Sequence, residues 1–221
     1  MSRPHEDRER HTLVDHRPGG EPITFAHGSW LVLGVAHVKA ERSDACISAY
    51  ETLLEKAATS KTHAHPAAIF LSKNQRRVVT LAGVAGHDGF KAIAAAWDDH
   101  HRETQHRAIA ESVSLGLFAV SASIGAAAID PASHDAFDYE QFLHPIPGAA
   151  GLFSPSTAPD TFRGAMLLSG DDGRTNVIVS RFSLAEAYTD FRADRRATTA
   201  LGALDESGTV SFPVHAVRTF A

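Results

Sequence analysis

The stretch Trp30-Leu31-Val32-Leu33-Gly34-Val35-Ala36-His37-Val38 decides the fold. It is rich in β-branched residues and too short for a buried helix with caps, so it predicts a strand buried on both faces. Alternation puts Leu31, Leu33, Val35 and His37 on one face, and Trp30, Val32, Gly34 and Ala36 on the other. Working outward, Ser43-Asp44 supplies a helix N-cap signal, and Ile47, Tyr50, Leu53, Leu54 and Ala57 follow at the spacing of one helical face. Ala67–Ser72 and Arg77–Val84 read as two strands around the turn Lys73-Asn74-Gln75-Arg76. A second helix is expected from about His87 to Ser112, then a strand over Val113–Ser121.

The rest of the chain repeats this order. Ser123–Ile129 reads as a strand, Ser133–Leu143 as a shorter helix, and 145–159 as a Pro/Gly-rich loop. Arg163–Ser169 and Asn176–Phe182 form a hairpin turned by Gly170-Asp171-Asp172-Gly173. Ser183–Leu204 reads as a helix and Thr209–Phe220 as the last strand. Two β-α-β-β-α-β units therefore follow one another, each ferredoxin-like. A strand apolar on both faces needs cover on its second face, and the sister unit supplies it. The expectation is an α+β chain of two tandem ferredoxin-like units forming a dimeric α+β barrel-type pseudo-dimer. Residues 1–24 form a disordered or loosely attached arm, 25–122 the first unit and 123–221 the second. The pseudo-dimer could pair again as a homodimer.

Composition narrows the function. The chain has 221 residues, 43% apolar and 21% charged, as in an ordinary globular protein. A net charge of −5 shows no general nucleic-acid or membrane footprint, and no stretch is apolar enough to span a bilayer. The arm has no apolar core of a secretory signal. The single cysteine, Cys46, excludes an internal disulfide and fits a reducing, cytoplasmic setting. Fourteen histidines are many, yet none makes a convincing metal set. His63 and His65 come nearest, and a solvated or hydrogen-bonded pair is the more frequent outcome there.

The segment from Gly89 to His106, GFKAIAAAWDDHHRETQH, resembles the second helix of the antibiotic-biosynthesis-monooxygenase family, whose members form dimeric α/β barrels. Trp97 and His106 match an aromatic residue followed eight to ten positions later by a histidine. The resemblance implies a monooxygenase acting on an aromatic polyketide-like phenol, anthrone or hydroquinone. A histidine would draw the phenolic proton, and reaction with O₂ would give a quinone or a ring-cleaved product. It implies no bound cofactor, with reduced flavin as the variant. Haem-degrading members use an asparagine on the first strand, and here that strand has none, which speaks against haem. The second unit carries Phe191 near the place of Trp97 with no histidine after it, so the chemistry is expected in the first unit.

Two histidines compete for the catalytic role. The family spacing favours His106, whereas an ideal helix puts His101 one turn after Trp97 on the same face. A near-neutral histidine suits removal of a phenolic proton. Trp97 lies on the stripe Phe90-Ile93-Ala94-Trp97; it is either core or, with Phe90, a wall stacking on a flat substrate. His37 could face the barrel from the opposite wall. Gly34 marks either a close ligand approach or a bulge. Asn176 and Arg181 could hydrogen-bond a carbonyl or carboxylate of the ligand, or lie at strand ends in water. The alternative function is a non-oxygenase barrel: a polyketide cyclase or isomerase, or a small-ligand-binding protein.

Overall fold

The computed structural model describes residues 19–59, 66–103, 109–125, 128–133, 135–143, 160–184 and 209–220. The first strand, β1 (Trp30–Val38), is buried at nearly every position. A single 3₁₀ turn, Ala40–Arg42, runs directly into α1 (Ser43–Thr59), so Ser43 is already helical. Its hydroxyl donates back to the carbonyl of Ala40 at 2.9 Å instead of capping the helix ahead of it. Cys46, Ile47, Tyr50, Leu53, Leu54 and Ala57 form the buried face of α1.

The hairpin β2 (Ala67–Ser72) and β3 (Arg77–Val84) follows as expected. The Ser72 hydroxyl donates to Asn74 Oδ1 at 2.8 Å and accepts the N–H of Arg77 at 2.9 Å, fixing the turn, with Gln75 in the left-handed region at φ 56°. The second helix, α2 (Gly86–Glu103), is the shorter partner of a longer strand: β4 spans Ala110–Gly125, so residues expected to be helical up to Ser112 already pair as strand.

The second half departs from expectation at its start. Ser123–Gly125 finishes β4, and Ile129 lies outside any strand, bridging Ile23. The helix expected over Ser133–Leu143 is a strand. A 3₁₀ turn at Pro131–Ser133 leads into β5 (Ala136–Phe142), which pairs with a neighbour on each side. Pairing along both edges overrides the helical reading, and it buries Asp138 and Glu140 on the outer side of the sheet. The hairpin β6 (Phe162–Gly170) and β7 (Asn176–Phe182) and the final strand β8 (Thr209–Phe220) stand where the sequence put them. The expected helix over Ser183–Leu204 lies almost entirely outside the described residues.

All eight strands are antiparallel and close a barrel in the order β1-β3-β2-β8-β5-β7-β6-β4. Rather than two sheets lying face to face, β4-β1-β3-β2 and β8-β5-β7-β6 join edge to edge, through β4 with β6 and β2 with β8. Each set of four has the same spatial order of last, first, third and second strand. The architecture is α+β.

Alternation sorts the side chains into two cores. Leu31, Leu33 and Val35 point inward with Phe70, Leu81, Phe118, Phe137, Tyr139, Val177 and Phe212, filling much of the barrel. Val32 and Ala36 point outward, under α1 and α2, with Ile47, Tyr50, Ile93 and Trp97. Part of the expected arm belongs to the first core. Ile23 is buried next to the start of the first unit, and paired backbone bonds to Ile129 (3.0 and 2.8 Å) tie it in place. No described helix is long and apolar enough to cross a membrane.

Candidate active site

The barrel wall has a gap, and its cause is strand length. β4 pairs with β1 over Ala110–Ala119 but meets β6 only from Phe118 onward. Before Phe118, its other edge has no ladder partner among the described residues. The β6–β7 turn comes up against this edge, tied by the N–H of Asp171 to the carbonyl of Leu117 at 2.9 Å. A cavity of about 480 Å³ opens there. It reaches inward to Leu33 and Gln141 and outward to Phe90 and Leu115. Its lining is mixed: Leu33, Phe90, Leu115 and Phe118 give apolar surface for a flat ligand, and His87, Lys91, Ser114, Gln141 and the Asp171–Asp172 turn add polar groups.

Gly116 in that edge makes room. A Cβ there would come within 2.7 Å of the Phe118 ring, so the ring lies against bare backbone and leaves the space beside it open.

On the rim, His87 and Asp171 meet. His87 stands in the first turn of α2 and Asp171 on the β6–β7 turn; Nε2 and Oδ2 are 3.0 Å apart, with side chains 59% and 43% exposed. The Trp30 ring packs 5.7 Å from the imidazole on its other side. Asp171 is held by its neighbour. The Asp172 carboxylate accepts the Thr175 hydroxyl at 2.6 Å and the N–H groups of Arg174 and Thr175 at 2.9 and 2.8 Å. These bonds, the Thr175 hydroxyl first, hold its carboxyl below the usual carboxylate range. The turn is therefore pre-formed. A carboxylate-oriented imidazole beside a cavity can take and return a proton.

Deeper in, a second polar group is set with more constraint. The Tyr139 hydroxyl donates to Gln141 Oε1 at 3.0 Å. Phe212 stacks on Tyr139 at 4.8 Å, and the Arg77 guanidinium lies 4.4 Å over Phe212. Burial pushes the Tyr139 phenol well up, so it stays protonated and donates.

Of the residues singled out from sequence, Phe90 lines the cavity and the others described lie elsewhere. Trp97 is in the helix–sheet layer outside the barrel, its ring tilted against Tyr50 at 4.4 Å between centroids, and is 7% exposed. His37 is exposed at the end of β1, opposite Arg77 and Ser112. Gly34 faces outward in unbroken register, without a bulge, and the space a Cβ would take is filled by Thr80 Oγ1 (2.6 Å) and Leu115 (3.1 Å). Asn176 is buried and donates to the carbonyl of Arg174 at 3.2 Å. Arg181 pairs with Asp135 at the far end of β7 from the cavity. His106 lies outside the described residues, as does the side chain of His101. Sequence reasoning missed His87, Asp171 and Gln141. Only the turn signal around Asp171 was visible, and nothing local linked it to a histidine 84 residues away. Among the described residues, no group of three or more His, Cys, Asp or Glu is gathered to hold a metal.

No family model matches the chain, and no curated protein matches it. Solved structures do. An anthrone oxidase-like protein superposes with a TM-score of 0.69 at 16% identity, over 90% of this chain and 95% of that one. A candidate monooxygenase from Fusobacterium nucleatum gives 0.58 at 10% identity, over 88% and 95%. Another from Lactobacillus acidophilus NCFM gives 0.55 at 8% identity, over 87% and 96%. At these identities the likeness is one of fold. The barrel fold is the one these structures share.

Proposed function

We propose that this chain is an oxygenase of the antibiotic-biosynthesis type that converts an aromatic anthrone, phenol or hydroquinone bound in the β4–β6 cavity. The observation that carries the reading is the His87–Asp171 pair on the rim of a cavity walled in part by Leu33, Phe90 and Phe118. The fold shared with an anthrone oxidase-like protein supports the substrate class.

For an anthrone, the steps balance as follows. His87 takes a proton from the ring methylene, and Asp171 stabilises the imidazolium that forms. The enolate gives one electron to O₂, and the resulting radical and superoxide join through a new C–O bond. The peroxide takes the proton back from His87. Loss of the remaining C–H proton with cleavage of the O–O bond then forms the second carbonyl and water. The methylene becomes C=O, and O₂ ends as that carbonyl oxygen and one water. Phe90, Leu33 and Phe118 contribute desolvation and stacking. The identical strand order of the two halves supports a duplicated unit, with the chemistry where the halves meet instead of in the first alone.

The test is O₂ consumption with a panel of anthrones and naphthohydroquinones, with and without reduced flavin. Uptake slowed about a hundredfold in His87→Ala, and kept in His101→Ala and His106→Ala, is the expected result. No uptake with any compound sinks the oxygenase reading. Loss of the compound without O₂ uptake would make the protein a cyclase or isomerase.

A further inference from the structure

The Tyr139–Gln141 pair sets a polar group on the inward side of the cavity, among the apolar side chains of the barrel core, and neither the fold nor the proton chemistry requires it. Gln141 belongs to the inward row of β5, with Phe137 and Tyr139. It lines the cavity from the side opposite Phe90. A glutamine amide offers one carbonyl acceptor and two N–H donors. The acceptor is engaged by the Tyr139 hydroxyl, so the group presented to the cavity is the N–H donor. The orientation is fixed from below. Tyr139 is buried, its ring is held by Phe212, and Phe212 is held by Arg77. An amide free to rotate could serve donors and acceptors alike, whereas this one is set for an acceptor.

We propose that Gln141 binds a carbonyl oxygen of the ligand through its amide N–H, with Tyr139 as the positioning residue. Resting on the cavity being the ligand site, this makes the protein select flat aromatic ligands that carry a carbonyl over those that carry a methylene or hydrogen at the same place. In the reaction above the same N–H meets the oxygen on which the enolate charge builds, and a fixed donor there strengthens as charge develops.

A matched, unreactive pair tests the inference by binding alone: 9-fluorenone, with one carbonyl, and fluorene, with a methylene in its place. Dissociation constants come from equilibrium dialysis. The wild type is expected to bind fluorenone about fivefold more tightly than fluorene, the worth of one hydrogen bond beyond the shared apolar contact. Gln141→Met, of similar volume, is expected to abolish that preference while leaving fluorene affinity unchanged. Tyr139→Phe keeps the stack on Phe212 and is expected to cut the preference to about twofold, because the amide can then turn either way. Its folded state, checked by thermal unfolding, keeps the test open should Gln141→Met fail to fold. Equal binding of both probes by the wild type, or an unchanged preference in Tyr139→Phe and Gln141→Met, overturns the inference and leaves the cavity as the ligand site. No binding of either probe overturns both.

Discussion

The two ends of α2 serve two different regions, and the contrast separates what holds the protein together from what it can act with. Around Trp97, the helix lies on the outer face of the sheet, packed with Tyr50, Cys46 and Ile93 and closed to water. Three turns earlier, His87 and Phe90 border an open cavity at a seam where β4 has outrun its neighbour. The first region buries aromatics for stability. The second leaves polar groups exposed at a place where the sheet is incomplete. Aromatic content alone does not tell them apart, since Trp97 and Phe90 sit on the same stripe two turns apart.

Truncating Trp97 gives the largest expected effect. Trp97→Ala should remove about 3–5 kcal/mol of stability in chemical denaturation, from lost contact area and the cavity left against Tyr50. At temperatures where the variant is folded, its affinity for fluorenone should equal that of the wild type. A loss of affinity without a loss of stability would move Trp97 into the ligand site and erase the contrast.

His87→Ala should do the reverse. Turnover measured by O₂ uptake should fall about a hundredfold, the usual worth of a positioned proton acceptor, while stability changes by less than about 1 kcal/mol because the pair with Asp171 is solvent-exposed. Asp171→Asn should cost about tenfold, since an amide still orients the imidazole but no longer balances its charge. If both variants keep full turnover, the rim pair is only a clasp between α2 and the β6–β7 turn.

The fold was legible where the sequence repeats a period that one environment explains. Leu31, Leu33 and Val35 against Val32 and Ala36 gave a strand buried on both faces, and the need for a cover on each face gave the barrel. It failed at β5, where Asp138 and Glu140 alternate with aromatics and only the pairing partners β7 and β8 make that pattern a strand. The site was less legible for the same reason. Phe90 could be named from its helix, but the cavity arises from a mismatch in strand lengths, and its rim joins His87 to a turn in the other half of the chain. A local motif cannot carry that. The histidine spacing after Trp97 pointed further along the helix, whereas among the described residues the imidazole at the cavity, His87, lies before it.

A smaller effect should follow from filling the seam without touching a polar group. Gly116→Ala places a methyl against the Phe118 ring, which must swing toward the cavity or the barrel core. The expected outcome is a loss of about tenfold in affinity for both fluorenone and fluorene, with the ratio between them unchanged. Because the added group is apolar, a selective loss of fluorenone would mean that the carbonyl is bound near Gly116 rather than at Gln141.

The smallest effect concerns acid, and it sets the two regions apart by their titration. In the helix layer burial pushes the Cys46 thiol up to about 12 and raises Tyr50 as well, so both stay neutral from acid to mildly basic pH. At the rim, Asp172 is ionised in the folded protein with its pKa lowered from 3.8 by the Thr175 hydroxyl and two N–H groups. A lowered folded pKa gives stability that is present above the unfolded value and lost as pH falls through the folded one. The β6–β7 turn should therefore loosen below about pH 4 while the helix layer does not respond through Cys46 or Tyr50. Hydrogen exchange corrected for intrinsic pH dependence should show protection falling first at Arg174 and Thr175, whose N–H groups Asp172 accepts. Asp172→Asn should weaken that protection already at neutral pH and flatten its dependence on acid. Equal loss of protection across both regions at low pH would show that the rim and the helix layer open as one unit, and the division drawn along α2 would not hold.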